Sequence, residues 1–118
     1  MQYLLLIYEK EADWNKMSKA EMDAIYKEYG EFTGSITPSG NYKGGHQLQP
    51  ISTATTVRVR DKKRLVTDGP FAETKEQLGG FYMIEAKDLD EAIAIAARIP
   101  SARTGSIEVR PIVVRNKA

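Results

Sequence analysis

Apolar spacing divides the chain into alternating strands and helices. Residues Gln2 to Tyr8 hold a continuous apolar run, Tyr3-Leu4-Leu5-Leu6-Ile7-Tyr8, the pattern of a strand buried on both faces. Met22, Ile25, Tyr29, Phe32 and Ile36 then recur at three- and four-residue spacing and predict a helix with one apolar stripe. Its start is marked by Ser18 and Glu21, spaced so that each side chain satisfies the other's backbone N–H. Met17 and Met22 take the places of a hydrophobic staple. Pro38 disfavours helical geometry at Thr37, so the helix is expected to end near Gly34. A loop through Glu9–Lys16, carrying the lone Trp14, joins strand to helix.

Ser39-Gly40 and Gly44-Gly45 read as loop, with a short extended piece near His46–Gln49. Thr55–Arg60 alternates Thr/Val with polar residues, and Asp61-Lys62-Lys63 turns the chain into Arg64–Thr67. That is a hairpin without the favoured Asn-Gly or Asp-Gly turn. Gly79-Gly80 opens a second apolar strand, Phe81–Ala86. Asp88 and Glu91 repeat the capping-box spacing ahead of a second helix, with Leu89, Ala92, Ile93 and Ala96 as its apolar face and Pro100 as its end. A last strand over Ser106–Val114 includes Pro111, which suits a sheet edge. The order β-α-β-(hairpin)-β-α-β predicts one α+β domain over residues 1–118. Its architecture is a ferredoxin-like split βαβ sheet with both helices on one face and an extra β-hairpin. The opposite sheet face would then expose apolar residues, and a homodimer placing sheet against sheet is the simplest way to cover them. A ligand is expected in a cleft between or within those sheets.

Composition removes several classes of function. Seventeen basic and sixteen acidic residues leave a net charge of +1, which argues against a nucleic-acid or anionic-membrane binder. Without cysteine there is no disulfide, thiolate nucleophile or Cys-based zinc site, and the single His46 excludes a His-rich metal site within one protomer. The first apolar run lacks a basic leader and a small-residue cleavage site, and no segment approaches the ~20 apolar residues of a membrane span. A cytoplasmic protein is the expectation.

Candidate chemistry centres on Asp68-Gly69-Pro70-Phe71, followed by Ala72-Glu73-Thr74-Lys75-Glu76. Asp-Gly-Pro suits a tight turn, with the carboxylate accepting backbone N–H groups and Phe71 plugging the core. The alternative places Asp68 at a cleft rim as a general base or orienter. His46 has the unperturbed pKa nearest neutrality and is the first candidate proton carrier. A His46–Asp68 unit would need the two within hydrogen-bond reach. Lys75 or Arg110 would hold an anionic substrate group, and Tyr82 lies in core, interface or site with its hydroxyl hydrogen-bonded. Arg58, Arg60, Lys62, Lys63 and Arg64 make a basic hairpin, interrupted by Asp61 and without interleaved aromatics. This is a solvated tip rather than a nucleic-acid site. Glu108 and Arg110 share a strand face and, with Arg98 and Arg103, form either an anion site or a salt-bridge lattice.

Taken together, Asp68-Gly69-Pro70-Phe71, the following Gln77-Leu78-Gly79-Gly80-Phe81, Ala97-Arg98-Ile99-Pro100 and Glu108-Val109-Arg110-Pro111 resemble the YCII-related proteins, in their DGPF-domain branch. Leu48-Gln49-Pro50 and the opening strand fit as well. The resemblance implies a dimeric α+β barrel, mostly uncharacterised bacterial relatives, and in some a link to extracytoplasmic-function sigma factors. It also implies small-molecule chemistry without a metal or organic cofactor, since the wider superfamily includes a dehydrochlorinase with a proposed His–Asp pair. In that sister branch the histidine comes from the first helix, where this chain has none; Met22, Ile25, Tyr26 and Tyr29 stand there instead. Two functions follow as expectations: a cofactor-independent acid/base enzyme using Asp68 and His46, or a metabolite-binding or regulatory module.

Overall fold

Alternation along the first strand organises the molecule. The structure, a computed structural model, describes residues 1–115. In chain order its elements are β1 (Gln2–Glu9), the single turn α1 (Glu11–Trp14), α2 (Lys19–Ile36), β2 (Tyr42–Gln47), β3 (Thr55–Arg60), β4 (Lys63–Asp68), β5 (Gln77–Glu85), α3 (Leu89–Ala96) and β6 (Ser106–Pro111). Four strands form one antiparallel sheet in the order β2-β5-β1-β6. With α2 and α3 as its crossovers, this is the split βαβ order.

Tyr3, Leu5 and Ile7 of β1 pack with Tyr82 and Ile84 of β5 against Phe32 and Ile36 of α2 and Ala92, Ile95 and Ala96 of α3, so both helices cover one face. Leu4, Leu6 and Tyr8 turn the other way and stay half-buried. The opening strand is therefore buried on one face, not on both as its continuous apolar run predicts. On that open face the register lines His46, Phe81, Leu6 and Glu108 into one row and Gly44, Met83, Leu4 and Arg110 into the next.

Ser18 caps α2 as its spacing predicts: its Oγ accepts from the Glu21 N–H (3.1 Å) while Glu21 Oε1 accepts from the Ser18 N–H (3.2 Å). The helix runs past Gly34 to Ile36. Thr37 keeps helical geometry in spite of Pro38 because both its N–H and its hydroxyl donate to the Thr33 carbonyl, at 3.1 and 2.7 Å. The buried stripe is shorter than its pattern, with Phe32 and Ile36 buried and Met22 and Ile25 only half-covered. At α3, Asp88 accepts from the Glu91 N–H (2.9 Å), but Glu91 reaches back to the Lys87 N–H (3.0 Å), one residue earlier than a capping box requires. Ile95, not Ile93, is its buried isoleucine. The helix stops at Ala96, ahead of Pro100, which opens a short 3₁₀ turn.

Other bounds differ in instructive ways. The segment Glu9–Lys16 is not all loop, since α1 forms within it. Strand β2 begins at Tyr42 and passes through Gly44-Gly45, and β5 begins at Gln77, ahead of Gly79-Gly80. Both glycine pairs thus lie inside strands. Strand β6 ends at Pro111, at a sheet edge.

Among the described residues, strands β3 and β4 pair only with each other. Their turn is the two-residue Asp61-Lys62, both at positive φ (50° and 63°), the left-handed pair that matches strand twist. The hairpin leaves the body: the radius of gyration is 16.6 Å, against the ~13 Å usual for a chain of this length. Among the described residues, no helix is long and apolar enough to cross a membrane.

Candidate functional site

Two glycines make room for a cavity. A Cβ on Gly45 would stand 2.8 Å from Tyr82 Cδ1 and 2.9 Å from the Phe81 carbonyl, and one on Gly80 would stand 2.9 Å from the His46 carbonyl. Bare backbone at these places lets β2 approach β5 and lets the Tyr82 ring lie over Gly45. Between the sheet and α2 this leaves a cavity of about 330 Å³, within the size range of small-molecule sites.

Five aromatic residues form much of its wall: Trp14 from α1, Tyr26 and Tyr29 from α2, Tyr42 from β2 and Tyr82 from β5. Tyr82 is the hub, with Tyr29 stacked at 6.4 Å between ring centroids and Tyr42 edge-on at 6.2 Å. Trp14 meets Tyr26 edge-on at 5.8 Å. Three of the hydroxyls have protein partners: Tyr82 Oη with Thr33 Oγ1 (2.9 Å), Tyr29 with Ser101, and Tyr26 Oη as acceptor from Gln47 Nε2 (3.2 Å). Burial pushes the Tyr29 phenol up to about 12, with a smaller push from the Glu9 carboxylate and partial opposition from the Ser101 hydrogen bond. Burial also raises Tyr82, opposed by its bond to Thr33. Both tyrosines are neutral at ordinary pH.

Two carboxylates complete the wall near the end of β1. Glu9 Oε1 accepts from the Thr104 hydroxyl (3.1 Å), and Glu11 Oε2 accepts from the Ile51 N–H (2.9 Å). Among the described residues, no lysine or arginine lines the cavity. Among the described residues, no three His, Asp or Glu side chains cluster as metal ligands would.

The sequence candidates are scattered by this geometry. Tyr82 is in the cavity wall. His46 contributes to the wall from β2, but its register partner is Phe81, which its ring meets edge-on at 5.9 Å on the sheet face turned away from Tyr82. Asp68 ends β4 opposite Thr55, exposed and outside the wall, and no hydrogen bond joins it to His46. Lys75 is exposed, and Arg110 lies on the open face, where Glu108 binds its guanidinium.

The corner after β4 is held by backbone rather than by the Asp68 carboxylate. Gly69 takes φ 91°, its N–H donates to the Ala54 carbonyl (2.7 Å), and its own carbonyl accepts from Thr56 Oγ1 (2.7 Å). Phe71 is 79% exposed and plugs no core. Arg103 pairs with Glu28 (2.5 Å) and Arg98 donates to Ser35, so these arginines form separate contacts, not one anion site with Arg110.

Trp14, Tyr26, Tyr29, Glu9 and Glu11 escaped sequence reasoning as site residues. The available signal was the two glycine pairs, which mark close backbone approach when they fall inside strands.

Fold and cavity together define an α+β protein with a four-stranded antiparallel sheet and an aromatic cavity beneath its long helix. The family model of the YCII-related domain matches residues 1–116, and the chain belongs to that family. It is similar to an uncharacterised protein of Rhizobium meliloti (strain 1021), 37% identical over 116 residues that cover 97% of this chain and 94% of the relative.

Proposed function

We propose that the protein binds a small, ring-sized and largely apolar molecule in the cavity between α2 and the sheet. The observation that carries this is the cavity itself. Its volume suits a small molecule, its wall is rich in aromatic rings, and the Tyr29 and Tyr82 hydroxyls are held in place by protein partners. A preformed site of this kind orders little on binding and so keeps most of the contact energy. A twofold homodimer belongs to the same proposal, supported by Leu4, Leu6, Phe81 and Met83 at the centre of the open sheet face.

Tyr29 supports a second reading, a cofactor-independent acid/base enzyme. The Glu9 carboxylate and the Tyr29 phenol both line the cavity, so a candidate base and a polarising hydroxyl share one wall. In this reading Tyr29 and Glu9 take the roles expected of His46 and Asp68.

Trp14 is the only tryptophan and stands in the cavity wall, so binding has an intrinsic reporter. A thermal-shift screen of ring-sized compounds should yield ligands that raise the melting temperature and change Trp14 emission together. If a broad set of such compounds moves neither signal, the binding proposal is wrong. Hits incubated with the protein and followed by NMR decide the enzyme reading, which falls if every hit is recovered unchanged.

A further inference from the structure

We infer that the ligand of this cavity carries a cationic ammonium group on its apolar body. The inference rests on the binding proposal above and adds the sign of the ligand's charge. The wall holds several aromatic rings, and a cation placed over a ring face is attracted to it, more strongly when it leaves water. Glu9 and Glu11 supply two carboxylates, each with one oxygen engaged by the protein and the other without a partner among the described residues.

The opposite choice is disfavoured by the same wall. Among the described residues an anionic ligand would find no lysine or arginine in the wall, and it would be brought beside two carboxylates in a partly desolvated space. The residues expected to hold an anion do not reach it: Lys75 and Arg110 are exposed, and Arg110 is already paired with Glu108. Of the tyrosine hydroxyls, those of Tyr82 and Tyr29 are already engaged by Thr33 and Ser101, and the hydroxyls of Tyr26 and Tyr42 do not balance an anion's charge. A wall of rings with carboxylates at one end fits an arylalkylamine or a quaternary ammonium compound of similar size.

Three probes sharing a phenyl body separate charge from shape: 2-phenylethylammonium, 2-phenylethanol and 3-phenylpropanoate. Titrated into the full chain and followed by Trp14 emission, the ammonium should bind about tenfold or more tighter than the alcohol, with the carboxylate weakest. In Glu9→Gln, which keeps an oxygen for Thr104, the ratio of ammonium to alcohol affinity should fall severalfold towards one. Glu11→Gln, which keeps an acceptor for Ile51, is the second variant and should lower the ratio as well. If the alcohol or the carboxylate binds as tightly as the ammonium, the charge assignment is overturned while the binding site stands. An ammonium preference unmoved by both variants also overturns it. If none of the three binds, the charge assignment fails, while the site proposal stands or falls with the broader thermal-shift screen.

Discussion

Replacing Gly45 by alanine puts a single methyl group where the cavity is most tightly drawn. That methyl would lie 2.8 Å from Tyr82 Cδ1 and 2.9 Å from the Phe81 carbonyl oxygen, both inside ordinary van der Waals contact. The carbonyl belongs to the β5 backbone and cannot swing aside, so β2 must move away or the Tyr82 ring must tilt. Tilting strains the 2.9 Å bond to Thr33 and the stacking on Tyr29. Overpacking of this kind costs about 1–3 kcal/mol, which for a domain of this size lowers the melting temperature by roughly 4 °C or more. Gly79→Ala is the control, because its new methyl meets only the Ile7 carbonyl at 4.0 Å and its φ is ordinary. Circular-dichroism melts of the two variants beside the parent make the comparison, and Gly45→Ala should also weaken any ligand that perturbs Trp14. If Gly45→Ala melts within about 1 °C of Gly79→Ala, the close approach of β2 and β5 does not shape this cavity as described.

Two further outcomes follow from the site's electrostatics and from the corner after β4. Tyr29 keeps its proton to about pH 12 in the folded state, against an ordinary 10.0. Above pH 10 the unfolded chain releases a proton that the folded chain retains, so stability is full below that pH and falls as pH rises towards 12. Denaturant titrations across that window should show the decline, and Tyr29→Phe should make it shallower; equal slopes in the two proteins would refute the assignment. Asp68→Asn should change stability by no more than about 0.5 kcal/mol, since the carboxylate is exposed and the corner is held by Gly69. A loss above about 1 kcal/mol in the same titration would show that the carboxylate does hold the turn.

The fold was largely legible because its cues are local. Ser18 with Glu21, the stripe ending in Phe32 and Ile36, and the order of strands and helices each follow from spacing of a few residues. The strand bounds were less so. Gly44-Gly45 looks like loop in a linear reading, whereas the Tyr82 ring that lies over Gly45 is supplied by a strand more than thirty residues later. The cavity was harder still, since Trp14, Tyr26, Tyr42 and Tyr82 come from four elements and only the packing of α2 on the sheet assembles them. Asp68 attracted attention as part of a dense, charged motif, yet the conspicuous part of that motif sits on the surface. His46 was placed near the site by its strand and away from it by one step of register.

That single step of register reaches beyond the histidine. Phe81 and Tyr82 are adjacent in sequence, but Phe81 turns to the open sheet face and Tyr82 to the cavity, and Leu4, Leu5, Leu6 and Ile7 divide between the two faces in the same way. Two surfaces are thus written on alternate letters of β1 and β5, and each can drift in sequence without editing the other. Saturation mutagenesis of β5 should return a tolerance profile that repeats every second residue, with ligand response following Tyr82 and its inward neighbours. Such a profile would let the cavity be recut for a new ligand while the outward letters are left as they are.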